Sequence, residues 1–314
     1  MTLTARNPFA GLTLGQALAL PGSDRFAAAG HLWSRREIDA LTLAWAARRP
    51  LLVRGEAGSG KSQIARAAAE ALGSGPPLIE VIHPRFDAQD LLYRMDAVAR
   101  LADAQVDRLD ESSRKYVKRG RLWEAMAAAA DGQPIPVLLI DEIDKADSDL
   151  PNALLDVLGN RSFTVPPLDD LVVRPAGDGL PLVIITTNEE RELPVAFVRR
   201  CVVLNLNPPG QAAEFIDWLI MRGRVHEHLQ IADDARAHAA QQVLADRRVA
   251  EREGFPKVGL AEYIDLLTAL DRLVPASLPE ARAAEQIEWL RKLSAYALVK
   301  NAGQSQDRPA VPVP

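Results

Sequence analysis

The sequence predicts a doubly wound α/β domain built on a mostly parallel five-stranded sheet, followed by an all-α domain. Three observations carry this expectation. Five short apolar runs, residues 51–54, 78–82, 137–140, 182–186 and 202–206, recur between helical stretches. Most are continuously apolar rather than alternating, the pattern of strands buried on both faces of a parallel sheet. After about residue 207 the strand signal stops, and segments 212–221, 233–253, 261–273 and 278–300 all read as helices.

The elements follow in order. Residues 1–30 read as an irregular lead-in with scattered Gly and Pro. Ser34 is a candidate N-cap for a helix over 35–48, whose Ile38, Leu41, Leu43, Ala44 and Trp45 are apolar. Directly after Leu51-Leu52-Val53 comes Gly55-Glu56-Ala57-Gly58-Ser59-Gly60-Lys61-Ser62, which fits G-x-x-x-x-G-K-[ST]. A strand before and a helix after are the setting this phosphate-binding P-loop needs. The glycines let the backbone curl so that N–H groups face phosphate oxygens. Lys61 adds a point charge near the β- and γ-phosphates, and the Ser62 hydroxyl can ligate Mg²⁺. The helix over 63–72 is Ala-rich and stops at Gly73. A dinucleotide fingerprint fails, since Gln63 stands where the third glycine would be needed.

The third run ends Val137-Leu138-Leu139-Ile140-Asp141-Glu142, eighty residues beyond Lys61. A buried strand delivers such carboxylates to the carboxyl edge of the sheet, where α/β folds bind ligands. Asp141 would hold Mg²⁺ through its water shell, and Glu142 would polarise an attacking water as general base. The next run ends Thr186-Thr187-Asn188. If it adjoins the Asp141 strand, Asn188 reaches the γ-phosphate and the water; otherwise it is a strand-end turn residue. Arg199 and Arg200 stand at a helix end before the last strand. Either could stabilise transferring phosphate in a neighbouring subunit, or both could simply be cations favoured at a helix C-terminus.

Together, Gly55–Ser62, Asp141-Glu142, Asn188 and Arg199-Arg200, followed by helices, resemble the AAA+ ATPases. The stretches Asp90-Leu91-Leu92-Tyr93-Arg94, Asp141-Glu142-Ile143-Asp144-Lys145-Ala146 and Arg191-Glu192-Leu193-Pro194 are similar to the MoxR-like branch, within the group carrying an insert in its second helix. The resemblance spans residues 30–300. It implies a P-loop NTPase core over 31–207 and a helical lid over 208–302, while the polar, then proline-rich composition of 303–314 reads as a disordered or extended tail. It further implies Lys61 and Ser62 for phosphate and Mg²⁺, Asp141 for Mg²⁺, Glu142 as base and Asn188 as sensor 1. An arginine finger would be Arg199 or Arg200, in a ring, usually of six subunits, with ATP at each boundary. Lys257 in Pro256-Lys257-Val258-Gly259 would be the sensor-2 cation, departing from the family's arginine; an ordinary solvated lysine is the other reading.

The resemblance implies Mg²⁺-dependent ATP hydrolysis that remodels a partner protein, commonly one with a von Willebrand A domain. A motor or switch subunit of a bacterial defence or conflict system is the alternative. A formal net charge of −5 argues against dedicated nucleic-acid binding, without excluding a local basic groove. Hydrophobic residues at 48% and charged residues at 25% are ordinary for a globular protein. Cys201 is the one cysteine, so disulfide frameworks and cysteine metal sites are ruled out and a cytoplasmic setting is expected. No apolar stretch approaches membrane-spanning length.

Residues 93–123 are long and charged, with Arg114, Lys115, Lys118, Arg119 and Arg121 balanced by Asp107, Asp110 and Glu111. They resemble the second-helix insert and otherwise read as a solvated face. Segment 162–173 reads as a β-hairpin. Trp33 and Leu32 are candidates for base contact or plain core, and His83, His226 and His228 offer no metal spacing.

Overall fold

The computed structural model describes residues 7–22, 26–110, 112–130, 132–176, 179–274 and 281–297. The expected tail over 303–314 lies outside them. By contact the chain forms two compact units. One gathers the residues up to Leu14 with Trp33–Gly55 and Lys61–Leu206; the other gathers Gly15–Leu32, Glu56–Gly60 and the residues from Asn207 onward.

The segment expected to be irregular carries an antiparallel pair, β1 (Ala17–Leu20) and β2 (Ala29–Leu32), in register Ala17↔Leu32 to Leu20↔Ala29. Neither strand has a β-branched residue or a Phe, Tyr or Trp to announce it. Backbone packing holds it instead. A Cβ on Gly30 would meet the Val225 carbonyl oxygen at 2.3 Å, so only glycine fits.

In the sheet unit, α1 (Arg35–Ala47) begins at the N-cap expected at Ser34, which the structure extends to a capping box with Glu37. The Ser34 hydroxyl accepts from the Glu37 N–H at 3.3 Å, and Glu37 Oε2 accepts from the Ser34 N–H at 2.7 Å. Its buried face is Ile38, Leu41 and Ala44. Next come β3 (Leu51–Arg54), α2 (Lys61–Leu72) and β4 (Leu78–Val81). Ile64, Ala65, Ala67, Ala68 and Ala69 form the buried face of α2, and small side chains let the helix lie close to what it covers.

Before and within the charged segment 93–123 come α3 (Ala88–Leu92), β5 (Tyr93–Met95), α4 (Ala97–Gln105) and β6 (Val117–Arg119), with β5 and β6 antiparallel. Its cations pair locally: Lys118 with Asp96 at 2.8 Å, and Lys115 with Asp103. The solvated-face reading therefore describes these two lysines. α4 buries no residue, and Val98 and Leu101 are 81% and 63% exposed.

The chain continues through α5 (Arg121–Ala128), β7 (Val137–Asp141) and α6 (Asp149–Asn160). The hairpin expected over 162–173 is β8 (Phe163–Val165) and β9 (Leu171–Val173). Then follow β10 (Leu182–Thr187), α7 (Val195–Arg200) and β11 (Val202–Asn205). The five-stranded sheet has the order β11-β3-β10-β7-β4, parallel throughout. Burial explains the sequence pattern. All six residues of central β10 are buried, whereas edge strand β11 alternates buried and exposed.

The second unit adds α8 (Ala212–Val225), α9 (Asp233–Glu253), α10 (Leu260–Leu273) and α11 (Arg282–Ala297). Phe215, Leu219, Val243, Tyr263, Leu266 and Leu270 centre its apolar core. Among the described residues no helix is long and apolar enough to cross a membrane.

Candidate functional site

Strand β3 runs into the glycine-rich loop, where Gly58 and Gly60 take φ of 73° and 93°, a region costly for residues bearing a Cβ. The Ser59 N–H closes a turn onto the Glu56 carbonyl at 3.2 Å. The Ser59 hydroxyl is buried without a hydrogen-bond partner among the described residues. Helix α2 starts at Lys61, so its first N–H groups have no partner within the helix.

Lys61 is only 6% exposed, and its ammonium donates to the Gly55 carbonyl at 2.8 Å. Burial lowers its pKa, an effect opposed first by the Asp141 carboxylate and then by Asp144, Glu142 and Glu189. The side chain is thus a desolvated cation facing acids.

Those acids come from adjoining strand ends. β7 and β10 pair in parallel, Ile140 opposite Ile185, which brings Asp141 and Thr186 side by side. The Ser62 hydroxyl donates to Asp141 Oδ1 at 2.8 Å, and the Thr186 hydroxyl donates to the same oxygen at 2.5 Å. Thr186 Oγ1 also accepts from the Glu142 N–H at 2.9 Å. Glu142 has φ 61°, a left-handed conformation that turns the chain sharply after the strand. Its carboxylate meets Lys145 Nζ at 2.5 Å and accepts from Asn188 Nδ2 at 3.2 Å. Asp144, 2% exposed, accepts from the backbone N–H groups of Asn188 at 3.2 Å and Glu190 at 2.9 Å.

The structure therefore joins Ser62, Asp141, Glu142 and Asn188 in one network within the sheet unit. Arg199 and Arg200 lie outside it, exposed on the last turn of α7. Lys257 belongs to the helical unit, where its ammonium is 3.0 Å from Glu251 and 3.7 Å from Glu56. Trp33 is core, 2% exposed. His226 and His228 face each other at 5.6 Å. Among the described residues no three His, Cys, Asp or Glu side chains gather as a metal cluster.

Sequence reasoning gave no role to Thr186, Asp144, Lys145 or Arg247. The first three stand within or beside the quoted motifs, but their partners lie up to 46 residues away in the chain. Arg247 bonds Glu56 across 191 residues, and no local pattern reports that.

Residues 50–201 match the family model of the AAA domain, dynein-related subfamily. The chain is 34% identical over 116 residues to the chaperone protein ClpB 1 of a Nostoc species, covering 36% of this chain and 11% of that protein. It is also 34% identical over 113 residues to the chaperone protein ClpB of Lactiplantibacillus plantarum, covering 35% and 11%. It thus spans about a ninth of the length of these curated relatives. Among solved structures it is similar to two RuvB mutants of Thermotoga maritima, at 16% identity and TM-scores of 0.47 and 0.43. The alignments cover 84% of this chain and 70% and 69% of those chains.

Proposed function

Proceeding from the match of residues 50–201 to the AAA domain, dynein-related subfamily, we propose that this chain is an AAA+ ATPase that binds ATP with Mg²⁺, hydrolyses it, and converts the cycle into remodelling of a partner protein. One observation carries the chemistry: Ser62, Asp141, Thr186, Glu142 and Asn188 form a continuous hydrogen-bonded chain from loop to strand ends. The orphan Ser59 hydroxyl further supports a ligand with acceptor oxygens at the loop.

The donor set fits the proposed ion. Ser62 and Asp141 offer a hydroxyl and a carboxylate already in contact, the oxygen-only ligands that suit a hard cation keeping several waters. Mg²⁺, when bound, supplies charge neutralisation at the phosphate oxygens. In this reading the loop N–H groups and Lys61 hold the β- and γ-phosphates, and residues 55–62 form the cradle. Glu142 accepts the proton of the attacking water, and Asn188 orients that water against the γ-phosphorus. Arg199 or Arg200 from a neighbouring protomer offsets charge on the equatorial oxygens, and Lys257 is the candidate lid cation. Catalysis of this kind is positioning and electrostatics.

The finer assignment is a MoxR-like ring, usually of six subunits, acting on a protein such as one with a von Willebrand A domain. It rests on the resemblance of residues 90–94, 141–146 and 191–194. A cytoplasmic setting is supported by the single, buried Cys201, whose thiol pKa burial pushes up to about 12. The net charge of −5 disfavours nucleic acid as the primary partner.

A second reading has one observation of its own. Glu142 is engaged by both Lys145 and Asn188, which favours a nucleotide-controlled switch with rare turnover. The deciding experiment uses Glu142→Gln, which retains ATP while single-turnover hydrolysis is lost. Normal hydrolysis by that variant removes Glu142 as the base, and wild-type turnover accelerated by a partner protein favours the remodeller over the switch.

A further inference from the structure

The tip of the phosphate loop, Glu56–Gly60, belongs by contact to the helical unit, although Gly55 and Lys61 on either side belong to the sheet unit. Within the helical unit the tip is held by one side chain above all. Arg247, on α9 and 9% exposed, donates through Nη2 to both Glu56 oxygens, at 2.7 and 2.8 Å. Its Nη1 donates to the Val258 carbonyl at 3.0 Å, and its guanidinium lies over the Phe215 ring, 5.3 Å from the centroid. The Val258 carbonyl and the Phe215 ring thereby hold the guanidinium plane beside Glu56.

Two further observations make the contact specific. A Cβ on Gly58 would meet Ala261 Cβ at 2.7 Å, so the loop tip lies against the start of α10 with no room for a side chain. Glu251 approaches Arg247 Nε only at 3.8 Å and pairs more closely with Lys257, leaving Glu56 as the nearest counter-charge of the buried guanidinium. A buried cation that loses such a partner is strongly penalised, which locks the carboxylate in place.

We propose that Arg247 is a positioning residue for the phosphate cradle. It acts through Glu56 and touches no nucleotide itself. By fixing the Glu56 carboxylate it sets the path of the backbone from Glu56 to Gly60, whose N–H groups face the phosphates in the proposed function. Arg247 thus governs nucleotide affinity through a carboxylate of the loop. The inference rests on that nucleotide reading.

The test is a double-mutant cycle on the full chain, with a fluorescent ADP analogue and Mg²⁺ as the probe. Arg247→Met, Glu56→Gln and the double variant are compared with wild type, alongside Arg247→Lys and Lys61→Ala. Thermal unfolding without nucleotide is a separate readout. Each single variant is expected to weaken analogue binding about tenfold, and the double variant no further than the worse single, a coupling ordinary for residues in direct contact. Arg247→Lys keeps the charge but lacks the planar fork, so it too should weaken binding.

Single-variant affinities within about twofold of wild type, or losses that add in the double, overturn the proposal. So does a lower unfolding temperature with unchanged affinity, which marks a purely structural pair. If Arg247→Met does not fold, Glu56→Gln, altering one part-exposed side chain, carries the test alone. If wild type does not bind the analogue, or Lys61→Ala binds it equally well, the nucleotide reading itself fails and takes this proposal with it. If wild type binds, Lys61→Ala does not, and the Arg247 and Glu56 variants match wild type, only the present inference falls.

Discussion

The hydroxyl of Thr186 donates to Asp141 Oδ1 at 2.5 Å while accepting the Glu142 N–H at 2.9 Å, so one strand-end side chain sets both acids of the neighbouring strand. Thr186 is fully buried, while Asp141 and Glu142 are half-buried. Thr186→Val preserves the shape and removes both bonds. It leaves the Glu142 N–H without its side-chain acceptor and Asp141 Oδ1 with one hydroxyl donor fewer, at a cost of about 1–3 kcal/mol. Urea unfolding should show that loss, and hydrolysis should require more Mg²⁺ for half-maximal rate. An unchanged Mg²⁺ requirement would separate Thr186 from the metal site.

Lys145 raises a different expectation. Its pKa is raised chiefly by the hydrogen bond to Glu142, so the ammonium persists across the physiological range and the carboxylate stays engaged. Lys145→Met frees Glu142 and should raise basal ATP turnover several-fold, with little change in stability because the pair is part-exposed. A fall in turnover would instead give Lys145 a supporting part in aligning the base.

The exposed Arg199 and Arg200 admit a mixing experiment. An Arg199→Ala or Arg200→Ala chain and a Glu142→Gln chain should each be inactive alone. In a strictly alternating mixed ring, half of the interfaces regain both groups, and activity returns in part. Absence of recovery for both arginines argues against completion of the site by a neighbour.

Acid should weaken the helical unit through His226. Burial, with a smaller contribution from His228, pushes its pKa down to about 4, against an ordinary value near 6.5. A folded-state pKa below the unfolded one means the unfolded chain binds more protons between these values. Stability from this group is therefore complete above about pH 6.5 and is lost as pH falls toward 4, by on the order of 2 kcal/mol. Unfolding temperatures measured across that window should show the slope, and His226→Asn should flatten it. An equal slope in the variant assigns the acid sensitivity elsewhere.

Legibility differed by the range of the interaction. The three central strands were readable because burial there forces continuous apolar runs such as Leu182-Val183-Ile184-Ile185. Helix α1 was readable because Ser34 and Glu37 are three residues apart and cap one another locally. The β1–β2 pair was not, since Ala17-Leu18-Ala19-Leu20 and Ala29-Gly30-His31-Leu32 lack β-branched side chains. In the candidate site, the motif residues announce themselves by spacing. Asp144 does not: its worth lies in two backbone N–H groups contributed by residues 188 and 190. The Arg247–Glu56 pair is hidden for the same reason over a longer span.

The alanine face of α2 has a consequence well away from the glycine turn. That helix contacts β7 and β10, its buried residues include Ala65, Ala67, Ala68 and Ala69, and its first two are Lys61 and Ser62. A bulkier residue at fully buried Ala68 overpacks the interior, and a helix that shifts to relieve it carries Lys61 and Ser62 along. Inert methyl groups two turns downstream thereby act as the shims that level the reactive end.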